Sequence, residues 1–188
     1  YTYPYLDVLL TSSFPPSPET SQKPLTCPQV PAIINRETNY SEDKMKLLIQ
    51  RVSSAKVEVG GSVTGEIGCG LLILFGAGQG DTPEDCVRLA SKVSRLRIFE
   101  DENGKTNLSI KDVGGKILSV SQFTLLADCS HGNRPSFTLA AEPGLAKSLY
   151  ERFNSELEGL GLTVRTGVFG ARMELSLVND GPFTVSLE

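Results

Sequence analysis

The chain has 188 residues, is 39% hydrophobic and 21% charged, and carries a formal net charge of −4. That length supports one domain with a substantial core, and no apolar run approaches the ~18 residues needed to span a bilayer. An acidic balance with no basic cluster longer than Arg95-Leu96-Arg97 excludes a grip on a long stretch of nucleic-acid backbone, yet leaves room for a nucleic-acid end held in a pocket.

Residues 1–44 differ from the rest, with seven of the 11 prolines and none of the 18 glycines. Ser, Thr and Pro-rich text without a hydrophobic period cannot offset its own ordering entropy, so this segment is predicted to be a disordered or loosely draped extension. Met45 reads as the natural start of a domain over residues 45–188. A transit peptide is the alternative, but Lys23, Arg36 and Lys44 against five acids fit one poorly. The expected location is cytoplasmic, with organellar targeting by residues 1–44 as the competing reading.

Residues 46–52 and 55–59 read as two strands, followed by a Gly60-Gly61 hairpin turn and a return through 62–67. The continuous apolar run 71–75 suits a central strand. Thr82-Pro83-Glu84-Asp85 opens a helix: Thr82 can cap, Pro83 fits the first helical position, and acids suit the positive end of the dipole. Cys86, Leu89, Ala90, Val93 and Leu96 give that helix one apolar face. Ile98-Phe99 returns as a strand into the turn Asp101-Glu102-Asn103-Gly104, and residues 116–126 read as one further strand. The loop over 127–141 is unusually long, which marks it as a functional candidate. A second helix spans 145–160, with Leu145, Leu149, Phe153, Leu157 and Leu160 on one face and Gly161 as its stop. Strands over 162–166, 171–178 and 183–187 finish the chain. The order predicts an α/β domain, a mixed sheet layered with helices.

Most familiar chemistries are absent from this text. Cys27, Cys69, Cys86 and Cys129 form no C-x-x-C pair and share the chain with one histidine, His131, so no metal site is expected; the cysteines read as reduced and buried. Gly76-Ala77-Gly78-Gln79-Gly80 lacks the dinucleotide fingerprint, and Asp81, Glu84 and Asp85 would repel a pyrophosphate there, so it reads as a turn. A triad of Ser121, His131 and Asp128 is disfavoured because Ser121 lacks a strand-to-helix elbow. Cofactors are expected to be none.

Two segments stand apart. In a strand, Ser121 and Phe123 would face one side while Gln122 and Thr124 face the other, where paired polar groups near a strand end line a small cleft or a half-exposed sheet face equally well. Asn179-Asp180-Gly181-Pro182-Phe183-Thr184 carries strong turn chemistry between two strands. Beyond the turn, Gly181 lets backbone come close to a ligand, and Pro182 fixes φ and makes a cis bond affordable. A rigid backbone pair of this kind can hold an amino group while leaving no room for a side chain of one hand.

Together these residues resemble the D-aminoacyl-tRNA deacylase family over 45–188. The likeness runs through Leu48-Ile49-Gln50-Arg51-Val52, Thr64-Gly65-Glu66-Ile67-Gly68, Arg97-Ile98-Phe99, Ser121-Gln122-Phe123-Thr124-Leu125, Gly132-Asn133-Arg134-Pro135-Ser136-Phe137 and Ser176-Leu177-Val178-Asn179-Asp180-Gly181-Pro182-Phe183-Thr184. The family's motifs Ser-Gln-x-x-Thr and Asn-x-Gly-Pro-x-Thr are both complete; Phe183 stands where Val is more usual.

The resemblance implies a single α/β domain of mixed, mainly antiparallel β-sheets layered with two main helices, working as a homodimer on the aminoacylated 3′ end of tRNA. It implies that Gly181-Pro182 of one subunit, as a Gly-cisPro pair, enters the other's site, orients the substrate amino group through carbonyls and excludes L-amino acids. Gln122, Phe123 and Thr124 would line the pocket with Ser121 in support; Phe137, Ala171 and Met173 would lie near the terminal adenosine. Catalysis would be assisted by that adenosine's 2′-hydroxyl, with Thr124 the protein-side nucleophile candidate, and glycyl-tRNA would be a side substrate. A non-catalytic dimeric RNA-end-binding protein and a His131-dependent hydrolase are the competing classes.

Overall fold

A computed structural model describes residues 44–188 of the chain. The expected extension therefore lies, Lys44 apart, outside the described residues, as does Cys27. Within them the elements run β1 (Lys46–Val59), β2 (Ser62–Ile67), β3 (Gly70–Gly76), α1 (Pro83–Ser94), β4 (Arg97–Glu100), β5 (Thr106–Ser109), β6 (Lys116–Ser121), a 3-10 turn (Phe123–Leu126), α2 (Pro143–Gly159), β7 (Thr163–Thr166) and β8 (Glu174–Leu187).

The main sheet has the order β2-β1-β3-β6-β7, with β8 pairing β1 on its other side. The β1–β2, β1–β3 and β1–β8 pairs are antiparallel, whereas β3–β6 and β6–β7 are parallel. Parallel neighbours need crossovers, which α1 with the β4–β5 hairpin and α2 supply. The fold is thus mixed α/β with two helices, as the pattern of elements predicts, and its sheet is mostly antiparallel, as the resemblance implies.

Alternation decides which face each strand residue meets. Leu47 and Ile49 of β1, Leu71, Ile73 and Phe75 of β3 and Ile117 of β6 pack under Cys86, Leu89, Ala90 and Val93 of α1 and Leu149, Phe153 and Leu157 of α2. Phe75 lies at the centre, with ring centroids 5.2 Å from Phe153 and 5.6 Å from Tyr150. Each fully buried Leu, Ile, Val or Phe among them contributes about 1.5–3 kcal/mol. The opposite face holds a smaller cluster of Val52, Val57, Leu72, Leu118, Val120 and Met173. The sheet curls over it: a Cβ on Gly65 of β2 would stand 2.8 Å from the Thr166 carbonyl oxygen at the end of β7.

Several expectations are corrected. The strands expected at 46–52 and 55–59 are one, because Ser54 stays paired with Val178 of β8 and a bulge on either side of Val52 absorbs the irregularity. The strands expected at 171–178 and 183–187 are likewise one, β8, which follows β1 along its whole length. The hairpin partner β5 was not expected, since Leu108 is its one apolar residue. Leu145 and Leu160 are 40% and 36% exposed; the buried face of α2 is Leu149, Tyr150, Phe153, Asn154 and Leu157. Cys86 is buried, but Cys69 and Cys129 are exposed.

At α1 the Asp85 carboxylate accepts from both the amide and the hydroxyl of Thr82, a reciprocal cap of the expected kind. Asp81 does something else. Its buried carboxylate accepts the Met45 amide at 2.7 Å and the Gly78 amide at 2.6 Å, tying the start of β1 to the glycine-rich turn. No helix among the described residues is long and apolar enough to cross a membrane.

Candidate active site

The strand expected over 116–126 ends at Ser121, and its continuation is a 3-10 turn. Three contacts explain the change. The Gln122 amide donates to the Phe75 carbonyl at 2.7 Å, closing the ladder between β3 and β6. The Leu125 amide then folds back to the Gln122 carbonyl, and the Ala127 amide to that of Thr124. Leu126 thereby swings into the core, where it is 1% exposed. Gly76 makes this fit, because a Cβ there would meet Leu126 Cδ2 at 2.6 Å and the Gln122 carbonyl oxygen at 2.9 Å.

Ser121 to Thr124 therefore do not alternate across a strand as expected. The turn brings Gln122 and Thr124 together, with the Gln122 side-chain amide donating to the Thr124 hydroxyl. Ser121 sits at the end of β6, level with Phe75. Phe123 meets Phe137 edge-on with centroids 5.1 Å apart. One patch thus combines half-buried Gln122, Phe123 and Thr124 with, from the long loop, the exposed Phe137.

That loop is clamped at its base. Asp128 and Ser136 exchange two backbone hydrogen bonds, the Gln79 amide donates to the Leu139 carbonyl, and Gly78 bridges Ala140. The Asp128 carboxylate accepts the Ser130 hydroxyl and amide, which hold it below the ordinary carboxylate range. It is engaged in a turn rather than in orienting His131.

Ala171 and Met173 fall on the other side of the sheet. Met173 is 4% exposed in the second cluster, and Ala171 packs against the same cluster. A Cβ on Gly167 would strike the Met173 sulfur at 2.5 Å; Gly167, but not Met173, lines a groove of about 420 Å³ between α2 and residues 166–169.

Gly181-Pro182 lies elsewhere again, and it does not reverse the chain. Gln50 pairs Thr184 and Val52 pairs Asn179, so β8 spends five residues where β1 spends two and throws out an elbow. The Gly181–Pro182 peptide bond is cis, and both residues are exposed. The Asn179 side-chain amide pins the base of the elbow to the Arg51 carbonyl at 2.8 Å, and the Gln50 amide reaches the Thr184 hydroxyl at 3.4 Å.

Arg51 is the residue that sequence reasoning missed. Although charged it is 3% exposed. Its guanidinium donates to the carbonyls of Asp180 and Gly181, each at 3.1 Å, and to that of Ile98 at 2.6 Å. The Asp180 carboxylate at 2.8 Å and that of Glu100 at 3.6 Å neutralise it, and the Phe183 ring lies 4.5 Å from its guanidinium carbon. The signal was available: Arg51 follows Leu47 and Ile49 at the period-two spacing of a core face, and a cation there must find buried acceptors.

The two motif segments do not meet within one chain. Ser121 is level with Phe75, Phe75 with Leu47, and Leu47 with Leu187. The elbow therefore sits three strands across and several residues along, roughly 15–20 Å away at ~4.8 Å per strand and ~3.3 Å per residue. Nothing among the described residues requires glycine at 181 either, since a Cβ there meets none of their atoms within 4 Å. Beside it, the outer edge of the 14-residue β8 pairs with no strand among the described residues.

Comparison with known proteins gives a consistent result. The family model described as D-Tyr-tRNA(Tyr) deacylase matches residues 48–188. A D-aminoacyl-tRNA deacylase of Lactobacillus delbrueckii subsp. bulgaricus is 57% identical over 144 residues, which cover 77% of this chain and 99% of that protein. One from Deinococcus radiodurans is 54% identical over the same shares. Among solved structures, a c-Myc DNA unwinding element binding protein superposes with a TM-score of 0.72 at 39% identity, covering 76% of this chain and 97% of that one. A probable eukaryotic D-amino acid tRNA deacylase shares the fold, with a TM-score of 0.69 at 16% identity and shares of 76% and 98%.

Proposed function

The chain belongs to the D-Tyr-tRNA(Tyr) deacylase family, and from that premise we infer that it hydrolyses the ester of D-aminoacyl-tRNA, releasing free D-amino acid and tRNA. Water adds to the ester carbonyl, the bond from that carbon to the ribose oxygen breaks, and the ribose oxygen leaves with a proton. The observation that carries this reading is the family match over 48–188 with both motifs intact and Gln122 hydrogen-bonded to Thr124 beside Phe123.

The working site is composite. Gly181-Pro182 of one subunit enters the pocket around Gln122, Phe123 and Thr124 of its partner, with Ser121 in support. The separation of the two segments within one chain, the open edge of β8 and a glycine that its own chain does not require all support a homodimer of this kind. The carbonyls of the elbow receive the substrate amino group. Arg51 takes one bond to the Gly181 oxygen and leaves a lone pair for it. Chirality is then judged by bulk, because the backbone occupies the space an L side chain would need, and glycyl-tRNA passes the same filter.

Residues 121–124 are Ser, Gln, Phe and Thr, none of which is a base near neutral pH. An activated ester beside the 2′-hydroxyl of the terminal adenosine needs positioning more than a strong protein base. Thr124 and Gln122 position the ester, while Phe137 flanks the adenosine. Incubation with D-tyrosyl-tRNA and L-tyrosyl-tRNA tests the reading: rapid release from the D-ester alone is expected, and equal cleavage of both, or of neither, refutes it.

A further inference from the structure

An acidic protein that holds an RNA end must still meet phosphate somewhere, and the long loop beside the site is the place where its charge changes. From Ser121 to Ala141 the one acid is Asp128, in a chain with 22 Asp and Glu. That carboxylate is folded onto Ser130 at the base of the loop, 2.6 Å from its hydroxyl. Beyond the Asp128–Ser136 bridge, residues 129–135 form an exposed tip with Ser130, His131, Asn133 and Arg134. The side chains of Asn133 and Arg134 make no hydrogen bond or ion pair with any described residue.

The contrast with the other cations near functional segments is instructive. Arg51 is buried and spent on backbone carbonyls, and Lys147 and Arg152 on α2 are paired with Glu151 and Glu156. Arg134 is exposed and unspent, two residues from the bridge and three from Phe137, whose ring rests on Phe123. The stems are fixed to Gly78 and Gln79, so the tip is carried at a set place on the rim of the candidate pocket.

We propose that this tip is a phosphate-gripping lip, in which Arg134, helped by the Asn133 amide, holds the single-stranded backbone just 5′ of the terminal nucleotide. A guanidinium suits a phosphate because its fork donates two parallel, charge-assisted bonds. Such a contact carries no base specificity; it sets where the strand lies and so where the ester falls relative to Gln122 and Thr124. The inference rests on the deacylase reading above and adds to it the group that reads RNA beyond its last nucleoside.

The test compares two substrates, D-tyrosyl-tRNA and D-tyrosyl-adenosine, the second of which has no phosphate to hold. Steady-state kinetics over a range of KCl concentrations are measured for the wild type, Arg134→Ala and Arg134→Lys. Arg134→Ala raises KM for the tRNA about tenfold at low salt with kcat little changed. It also flattens the slope of log kcat/KM against log salt by about 0.7, the loss of one single-strand phosphate contact. Activity on D-tyrosyl-adenosine stays within about twofold, and Arg134→Lys restores most of the salt slope. Equal changes on both substrates, no change on either, or a fall in the dimer fraction of Arg134→Ala by sedimentation each overturn the lip. A wild type inactive on both substrates would instead refute the deacylase reading, and this inference with it.

Discussion

The two motif segments are built in opposite ways. The turn at Phe123–Leu126 is made by the chain's own core: Leu126 is buried, Gly76 yields space to it, and the Phe75 carbonyl anchors its first amide. The elbow at Gly181-Pro182 points into solvent and is held from behind by a single buried arginine. The first explains itself within one chain. The second does not, and that contrast is the strongest physical argument that its purpose lies in another subunit.

The largest expected effect comes from removing the support of the elbow. Arg51→Ala leaves the carbonyls of Asp180, Gly181 and Ile98 without their donor and Asp180 without its cation. A loss of about 1–3 kcal/mol in stability is expected, because the Ile98 carbonyl is left buried without a donor while the Asp180 carboxylate is half-exposed to water, read by denaturant unfolding, together with loss of activity. An Arg51→Ala protein with full activity would mean that the elbow needs no fixed direction.

Gly181→Ala separates stability from function. Its Cβ meets no atom of the described residues within 4 Å, so the melting midpoint should stay within about 2 °C, while kcat/KM on D-tyrosyl-tRNA falls at least ~30-fold. Unchanged activity would show that nothing comes close to that backbone. In the turn, Thr124→Ala should leave hydrolysis within about tenfold of wild type, since the ester is positioned mainly by other groups. A tRNA ending in 2′-deoxyadenosine should be cleaved poorly, and brisk cleavage of it would end the RNA-assisted account.

The smallest effect concerns acid. Backbone amides hold Asp101 below its ordinary range, and hydrogen bonds from Ser109 and Ser130 do the same for Asp112 and Asp128. Groups lowered in the folded state stabilise it above about pH 4, and that contribution fades as pH falls through their lowered values. Asp81 runs the other way: burial pushes it up against its two amide donors, so its contribution is greatest in acid and lost as pH rises through the raised value. Protection of the amides at residues 128–136, corrected for intrinsic exchange, should therefore fall as pH drops through the lowered value of Asp128, with the elbow's amides less affected.

The helices were legible because their ends are written in side-chain chemistry: Thr82, Pro83 and Asp85 at α1, Gly161 after α2. The strands were legible as apolar alternation but not in their continuity. Ser53-Ser54 and Asp180-Gly181-Pro182 look like breaks; β1 and β8 bridge both by pairing with each other, a tertiary fact that local text does not carry. Phe123-Thr124-Leu125-Leu126 reads as well in a strand as in a turn. The choice was made by Gly76, nearly fifty residues away in sequence. The residues at 121–124 read equally well as cleft or sheet face, and only the family resemblance singles out both motifs; Arg51 hid in an apolar strand, and the distance between the motifs appears only once the ladder is drawn.

Complementation between two inactive variants tests the cross-subunit claim most directly. Gly181→Phe blocks the elbow and keeps the pocket, while Gln122→Ala damages the pocket and keeps the elbow. If each site draws its elbow from the partner, co-refolding the two in equal amounts restores about a quarter of the wild-type rate on D-tyrosyl-tRNA, from the one sound site in each mixed dimer. A mixture as inactive as its two parents would mean that elbow and pocket serve the same chain, and the account would be wrong.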